Sequence, residues 1–225
     1  MIELFTRGMG LENLFPQIDS EEDLDIPILK LFRPSPMDDS KIPPTKTGKK
    51  TLILDMDETL IHTSDFPPHS SVESFSVNAN KYIFKRPGLD RFLTETTKIF
   101  DTFIFTAGTK NYADPILDHI CPQISDGHRL FRDHCDMDHG RIKKNICKFN
   151  RSMNQVIIVD DSKAVKKAYP DNCITITKWS GNPNDFELTD IILPTLRECA
   201  LVDDVREIIS ATGNKKLQRH HSCII

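Results

Sequence analysis

No apolar run in the 225-residue chain approaches the roughly 18 to 20 residues that a membrane-spanning helix needs. The opening MIELFTRGMGLENLF also lacks the ordered charged, apolar and small-residue regions of a secretory leader, which leads us to expect a soluble intracellular protein. A dominant charge is missing too. Lysine and arginine number 29 against 33 aspartates and glutamates, so no global basic field holds bare nucleic acid, and any basic site must be local. The six cysteines include no CxxC pair, and in an α/β pattern such scattered cysteines read as reduced thiols. Cys121, His128, His134, Cys135 and His139 are soft-metal ligand types, yet their spacing fits no common zinc pattern, so loop and core roles are expected. There is no internal repeat.

What is present begins with one core's worth of chain. Residues 1–49 mix acids (DSEEDLD) with prolines (FRPSPMDDSKIPPTKTGKK) and carry few sustained apolar repeats, which predicts a flexible arm and linker. The folded domain is expected over 50–212, followed by a basic, disordered tail at 213–225. Cys223 stands third from the end, one place short of a prenylation box.

From Lys50 on, TLILD (51–55), TFIFT (102–106), QVIIVD (155–160) and CITIT (173–177) are short runs rich in branched and aromatic residues, which read as buried parallel strands. Between them PGLDRFLTETTK, with Pro87 in its first turn, KNYADPILDHI and DSKAVKKAY carry helical spacing. Alternation of this kind predicts an α/β fold, a central parallel sheet with helices on both faces. Ligands of such sheets bind outside the carboxyl ends of the strands. Three runs end there in polar residues: Asp55, Thr106, and the pair Asp160 and Asp161. Inside the sheet an unpaired carboxylate costs several kcal/mol, whereas at the strand end it can face water and a metal. Two carboxylates from one strand and a third from another offer hard oxygen ligands suited to magnesium. With phosphate bound, one carboxylate can attack phosphorus while a second, two residues on, moves the proton. Hydroxyls of Thr59 and Thr106 and a lysine would hold the phosphoryl oxygens.

The segments LDMDETLIHT, KRPGLDRFL, FTAGTKNYADPILD, LFRDHC, HGRIKKN, VIIVDDS and VDDVREI occur in this order between about Lys50 and Ile209. Taken together they resemble the small phosphatases of the haloacid dehalogenase superfamily that act on the carboxy-terminal domain of RNA polymerase II. The resemblance implies a Rossmann-like fold of that superfamily. It also implies that Asp55 is the nucleophile and Asp57 the general acid/base, with the backbone carbonyl of Asp57 on the metal. Thr106 and Lys144 then hold phosphate, beside Thr59, and Asp160 and Asp161 complete a Mg2+ site with Asp55. Many relatives carry Asp-Asn where this chain carries Asp160-Asp161, which makes its metal site more negative.

SSVESFSVNANKYIFKRP reads as a short hairpin turning at NAN, shorter than the corresponding insert of the polymerase phosphatases. Neither it nor the stretch from Thr106 to Lys144 has room for a large cap, and an open site suits a phosphorylated side chain on a protein. The resemblance therefore implies a phosphoserine/phosphothreonine protein phosphatase whose partner is a phosphoprotein such as the polymerase tail, nuclear or cytoplasmic, with a monomer expected. A non-catalytic binding module on the same fold and a small-metabolite phosphatase stay open as alternatives. Arg86 reads as either a phosphate contact or a surface salt bridge. His62 and His139 read as local hydrogen-bonding residues, and Trp179, the one tryptophan, as cover for the sheet edge.

Overall fold

The computed structural model describes Ile42 and residues 48–68, 71–78 and 81–212. The arm expected over 1–49 lies almost wholly outside the described residues, as do the tail from 213 on and residues 79 and 80 of the NAN turn. In chain order the elements are β1 (Thr51–Leu54), β2 (Ile61–Ser64), β3 (Ser74–Asn78), β4 (Lys81–Lys85), α1 (Leu89–Ile99), β5 (Asp101–Phe105) and α2 (Lys110–Ile120). There follow β6 (Arg129–Leu130), β7 (Asp136–Asp138), β8 (Arg141–Lys143), β9 (Val156–Asp160), α3 (Lys163–Ala168), β10 (Cys173–Thr175) and α4 (Leu193–Leu201), the last entered through a π-helical turn at Leu188–Ile192.

The central sheet has five parallel strands in the order β10-β9-β1-β5-β6. Leu54 is in register with Ile104 of β5 and Val159 of β9, so the three strands end side by side and Asp55, Thr106 and Asp160 emerge along one edge. Side chains alternate between two cores. Leu52, Leu54, Ile104, Ile157 and Val159 join α1, α2 and α4 on one face; Ile53, Phe103, Phe105, Val156 and Ile158 join Val165 of α3 on the other. Burial on both faces explains why these strands read as unbroken apolar runs. The cover is lopsided, for among the described residues the second face has only the six-residue α3 and short segments such as the 3-10 turn Ile146–Phe149.

Helix α1 places Leu89, Phe92, Leu93 and Thr96 on one buried stripe, and each fully buried large apolar side chain there contributes about 1.5–3 kcal/mol. Pro87 is not in its first turn. The N-cap is Gly88 at φ 78°, a left-handed conformation, and Pro87 precedes it. A Cβ at Gly88 would also stand 2.5 Å from Thr189 Cγ2, so glycine is required twice over.

The insert between β1 and α1 is a three-stranded antiparallel sheet, β2-β4-β3. The expected hairpin is β3–β4; β2 is an addition, concealed in the sequence because IHTS is short and only Ile61 of it is buried. Between β5 and β9 stand α2, β6, the hairpin β7–β8 and 3-10 turns, so the described residues include no large cap. No helix among them is long and apolar enough to cross a membrane.

Candidate active site

Beyond Leu54 the chain keeps to the sheet for one more residue, as the Asp55 amide donates to the Val159 carbonyl at 3.0 Å. It then turns sharply. Leu60 and Ile61 amides donate to the Met56 carbonyl at 2.9 and 3.2 Å, and Glu58 takes a left-handed φ of 64°, a conformation that costs a non-glycine residue on the order of 1 kcal/mol. Met56, fully buried, plugs the turn into the core. The turn thereby fixes where Asp55 and Asp57 project.

Asp55 meets a cation. Its Oδ1 accepts from Lys144 Nζ at 2.5 Å, its Oδ2 accepts from Thr59 Oγ1 at 3.1 Å, and the residue is 7% exposed. Lys144 also donates to Asp160 Oδ2 at 2.7 Å, and Asp160 Oδ1 accepts from the Ser162 amide at 2.8 Å, so both oxygens of Asp160 are engaged. Burial works against the Lys144 ammonium, but Asp55 and Asp160 outweigh it and its pKa stands above the ordinary lysine value. Burial pushes Asp160 up to about 6 against the pull of Lys144. Asp161, half-buried, is raised by burial and then by the charge of Asp55. One carboxylate oxygen from each of Asp55, Asp160 and Asp161 lies within 4.8 Å of the others.

Among the described residues, the side-chain partners of Asp57 are hydroxyls. Tyr112 donates to its Oδ1 at 2.5 Å, and Thr106 Oγ1 stands 3.4 Å from its Oδ2. Thr63 Oγ1, 2.7 Å from the Tyr112 hydroxyl, extends the chain of hydroxyls. Burial raises the Asp57 carboxyl; Tyr112 pulls it down, the charge of Asp55 pushes it up again, and Thr106 pulls it down. The carboxylate of Asp57 is outside the three-acid group.

Lys144 is buried in the centre while Lys143 is exposed, which separates two lysines that neighbour one another in sequence. Thr59 is fully buried behind Asp55, whereas Asp55, Asp57, Thr106, Lys144, Asp160 and Asp161 all line a cavity of about 440 Å³. Tyr112 escaped the sequence reading. The available signal was its place in the first turn of α2, three residues after the Thr109 N-cap and close behind the strand end at Thr106.

Arg86 is neither a phosphate contact nor a surface pair. It is 1% exposed, grips Asp185 through Nε and Nη2 at 2.9 Å each, reaches Glu187 at 3.2 Å, and donates to the Thr59 carbonyl at 3.1 Å. The guanidinium thus ties the turn carrying Thr59 to the loop before α4. His62 hydrogen-bonds Glu58 at 2.9 Å, and exposed His139 lies 3.2 Å from Asp138. Trp179 is buried against Val72 and Phe84 and so covers the small antiparallel sheet. Cys121 and Cys135 are buried, and the His128 ring bonds Asp101 while the His134 ring accepts from the Phe131 amide.

A parallel sheet bearing this acidic edge, with a short β insert and no large cap, is the haloacid dehalogenase type of fold. The chain belongs to the NLI interacting factor-like phosphatase family, whose sequence model matches residues 50–206. It is 36% identical over 176 residues to a probable C-terminal domain small phosphatase of Dictyostelium discoideum, covering 76% of this chain and 57% of that one. It is 34% identical over 168 residues to the human carboxy-terminal domain RNA polymerase II polypeptide A small phosphatase 1, covering 72% and 64%. A solved structure of Fcp1, an essential RNA polymerase II CTD phosphatase, aligns with a TM-score of 0.48 at 24% identity, over 76% of this chain and 54% of that one. The chain thus spans less than two thirds of the length of these relatives.

Proposed function

We propose that the chain is a magnesium-dependent protein phosphatase that removes phosphate from serine or threonine through an aspartyl-phosphate on Asp55. The observation that carries this reading is the contrast between two carboxylates at one strand end. Asp55 faces a buried lysine, while Asp57 faces hydroxyls and is pushed toward its protonated form. Two acids in environments this different suit a nucleophile and a proton carrier.

In the first step an oxygen of Asp55 bonds to phosphorus as the bond from phosphorus to the serine or threonine oxygen breaks, and the Asp57 proton passes to that leaving oxygen. In the second step water attacks the phosphorus, its proton returns to Asp57, and the bond from Asp55 breaks to release phosphate. Lys144 and Thr106 hold the phosphoryl oxygens; Thr59, from behind, orients Asp55. Tyr112 and Thr63 orient Asp57.

The donor set fits magnesium, since it consists of hard carboxylate oxygens gathered within 4.8 Å of one another. Asp55, Asp160 and Asp161 would hold the ion with the Asp57 carbonyl; Asp160 also anchors Lys144 through its Oδ2. When bound, the ion offsets the charge of clustered carboxylates and incoming phosphate.

An uncapped cavity supports a protein substrate over a small metabolite. The names of the relatives point to the phosphorylated tail of RNA polymerase II, and a nuclear location goes with that substrate. Phosphate release from an aryl phosphate and from phosphoserine peptides tests the reading, with magnesium or chelator, in wild type and Asp55→Asn. Release that needs magnesium and vanishes in the variant is expected; release that survives the substitution refutes the nucleophile.

A further inference from the structure

The cavity beside Asp55 is larger than the phosphoryl chemistry needs. At about 440 Å³ it lies in the range that accepts a drug-sized ligand, and only part of its wall is the carboxylate centre. Much of the rest is built by the β7–β8 hairpin, through Asp138, Arg141, Ile142 and Lys143, and by Val165 and Ala168 of α3. Strand alternation puts Arg141 and Lys143 on one face of the hairpin. Both are exposed, and neither makes an ion pair among the described residues. Of the acids in register with them on β7, Asp136 is bonded by Lys148 and Asn145 and also feels the charge of Lys143, while Asp138 lies 3.2 Å from the exposed His139 ring. Ile142, 39% exposed, and Val165 add apolar surface to the cavity wall. These two cations stand apart from the charge balance of the catalytic centre, where Lys144 serves the aspartates.

We propose that Arg141 and Lys143 bind a second negative charge on the substrate chain, so that the preferred substrate is a peptide whose phosphorylated serine or threonine has an acidic or phosphorylated neighbour. This rests on the protein-phosphatase reading above. Exposed guanidinium and ammonium groups pair with both carboxylate and phosphate, and their field favours approach of an anionic chain to a site that is itself acidic.

The test is kcat/KM, with magnesium and the full chain, for phosphoserine peptides identical except for the neighbouring residue: alanine, glutamate, phosphoserine or lysine. The glutamate peptide is expected to exceed the alanine peptide by roughly fivefold, the scale of two exposed ion pairs, and the lysine peptide to fall below both. The phosphoserine peptide, with nearly twice the charge of glutamate, is expected to exceed both; the two acidic arms separate carboxylate from phosphate as the natural source. In the Arg141→Gln, Lys143→Gln double variant the ratio of glutamate to alanine peptide falls to near one, at an unchanged melting midpoint since both side chains are exposed. Added salt lowers the wild-type ratio. Equal values for all four peptides, or a preference that persists in the double variant, overturn the proposal while leaving the phosphatase reading in place. Failure to turn over any peptide, the alanine one included, overturns both.

Discussion

Replacing Arg86 with methionine keeps an unbranched apolar stem and removes the guanidinium with its charge. The guanidinium is buried and carries four contacts: two to Asp185, one to Glu187 and one to the Thr59 carbonyl. Its partners are themselves screened from water, the side chain of Asp185 being 16% exposed and that of Glu187 9%. Breaking a buried pair by removing one partner costs about 3–5 kcal/mol, because the other charge stays behind uncompensated. For a domain of this size that corresponds to a fall in melting midpoint of roughly 6–20 °C. Thermal denaturation followed by circular dichroism reads it directly. If unpaired charge is the cause, adding Asp185→Asn and Glu187→Gln to Arg86→Met restores part of the loss, since neutral amides no longer demand a counterion. A loss under about 2 °C in the single variant would show that Arg86 behaves as the surface pair its sequence context allows. A triple variant no more stable than the single one would refute unpaired charge as the cause.

Without divalent cations, stability should rise as pH falls from about 7 to 5. The Asp160 carboxyl releases its proton at about 6 when folded and near 3.9 when unfolded, so between these values the folded state binds the extra proton. The gain is about 1 kcal/mol, read as a higher midpoint in chelator at pH 5 than at pH 7, and Asp160→Asn should flatten it. Gly88→Ala should cost roughly 1–3 kcal/mol in denaturant titrations, because it combines a left-handed φ with a clash against Thr189. Tyr112→Phe removes a hydrogen bond that lowers the Asp57 pKa, so the alkaline limb of the rate profile should move to higher pH; an unmoved limb separates Tyr112 from the proton transfer.

The strands were legible because β1, β5, β9 and β10 are buried on both faces, and their polar ends were legible as a site because parallel strands deliver their last residues to one edge. Pattern and resemblance together singled out Asp55, Asp57, Thr106, Lys144, Asp160 and Asp161, all of which line one cavity. What stayed hidden depends on contacts between distant residues. Arg86 finds Asp185 99 positions away, and no local pattern distinguishes that from a surface pair. Tyr112 reaches Asp57 across 55 positions, and helical spacing alone does not say that a first-turn tyrosine leans toward the strand end. β2, β7 and β8 are strands of three or four residues with little burial, and so offer no apolar run to read.

The central claim is that phosphate passes through Asp55, and the most direct measurement is to find it there. An aryl phosphate has a leaving group good enough to depart without a proton, so in Asp57→Asn the first step proceeds while the second, which needs a base, is slowed. Acid quenching of that variant after mixing with magnesium and aryl phosphate, followed by mass spectrometry of its peptides, should locate one added phosphoryl group on Asp55. A phosphoryl group on any other residue, or phosphate release in the wild type with no labelled peptide in the variant, would contradict it.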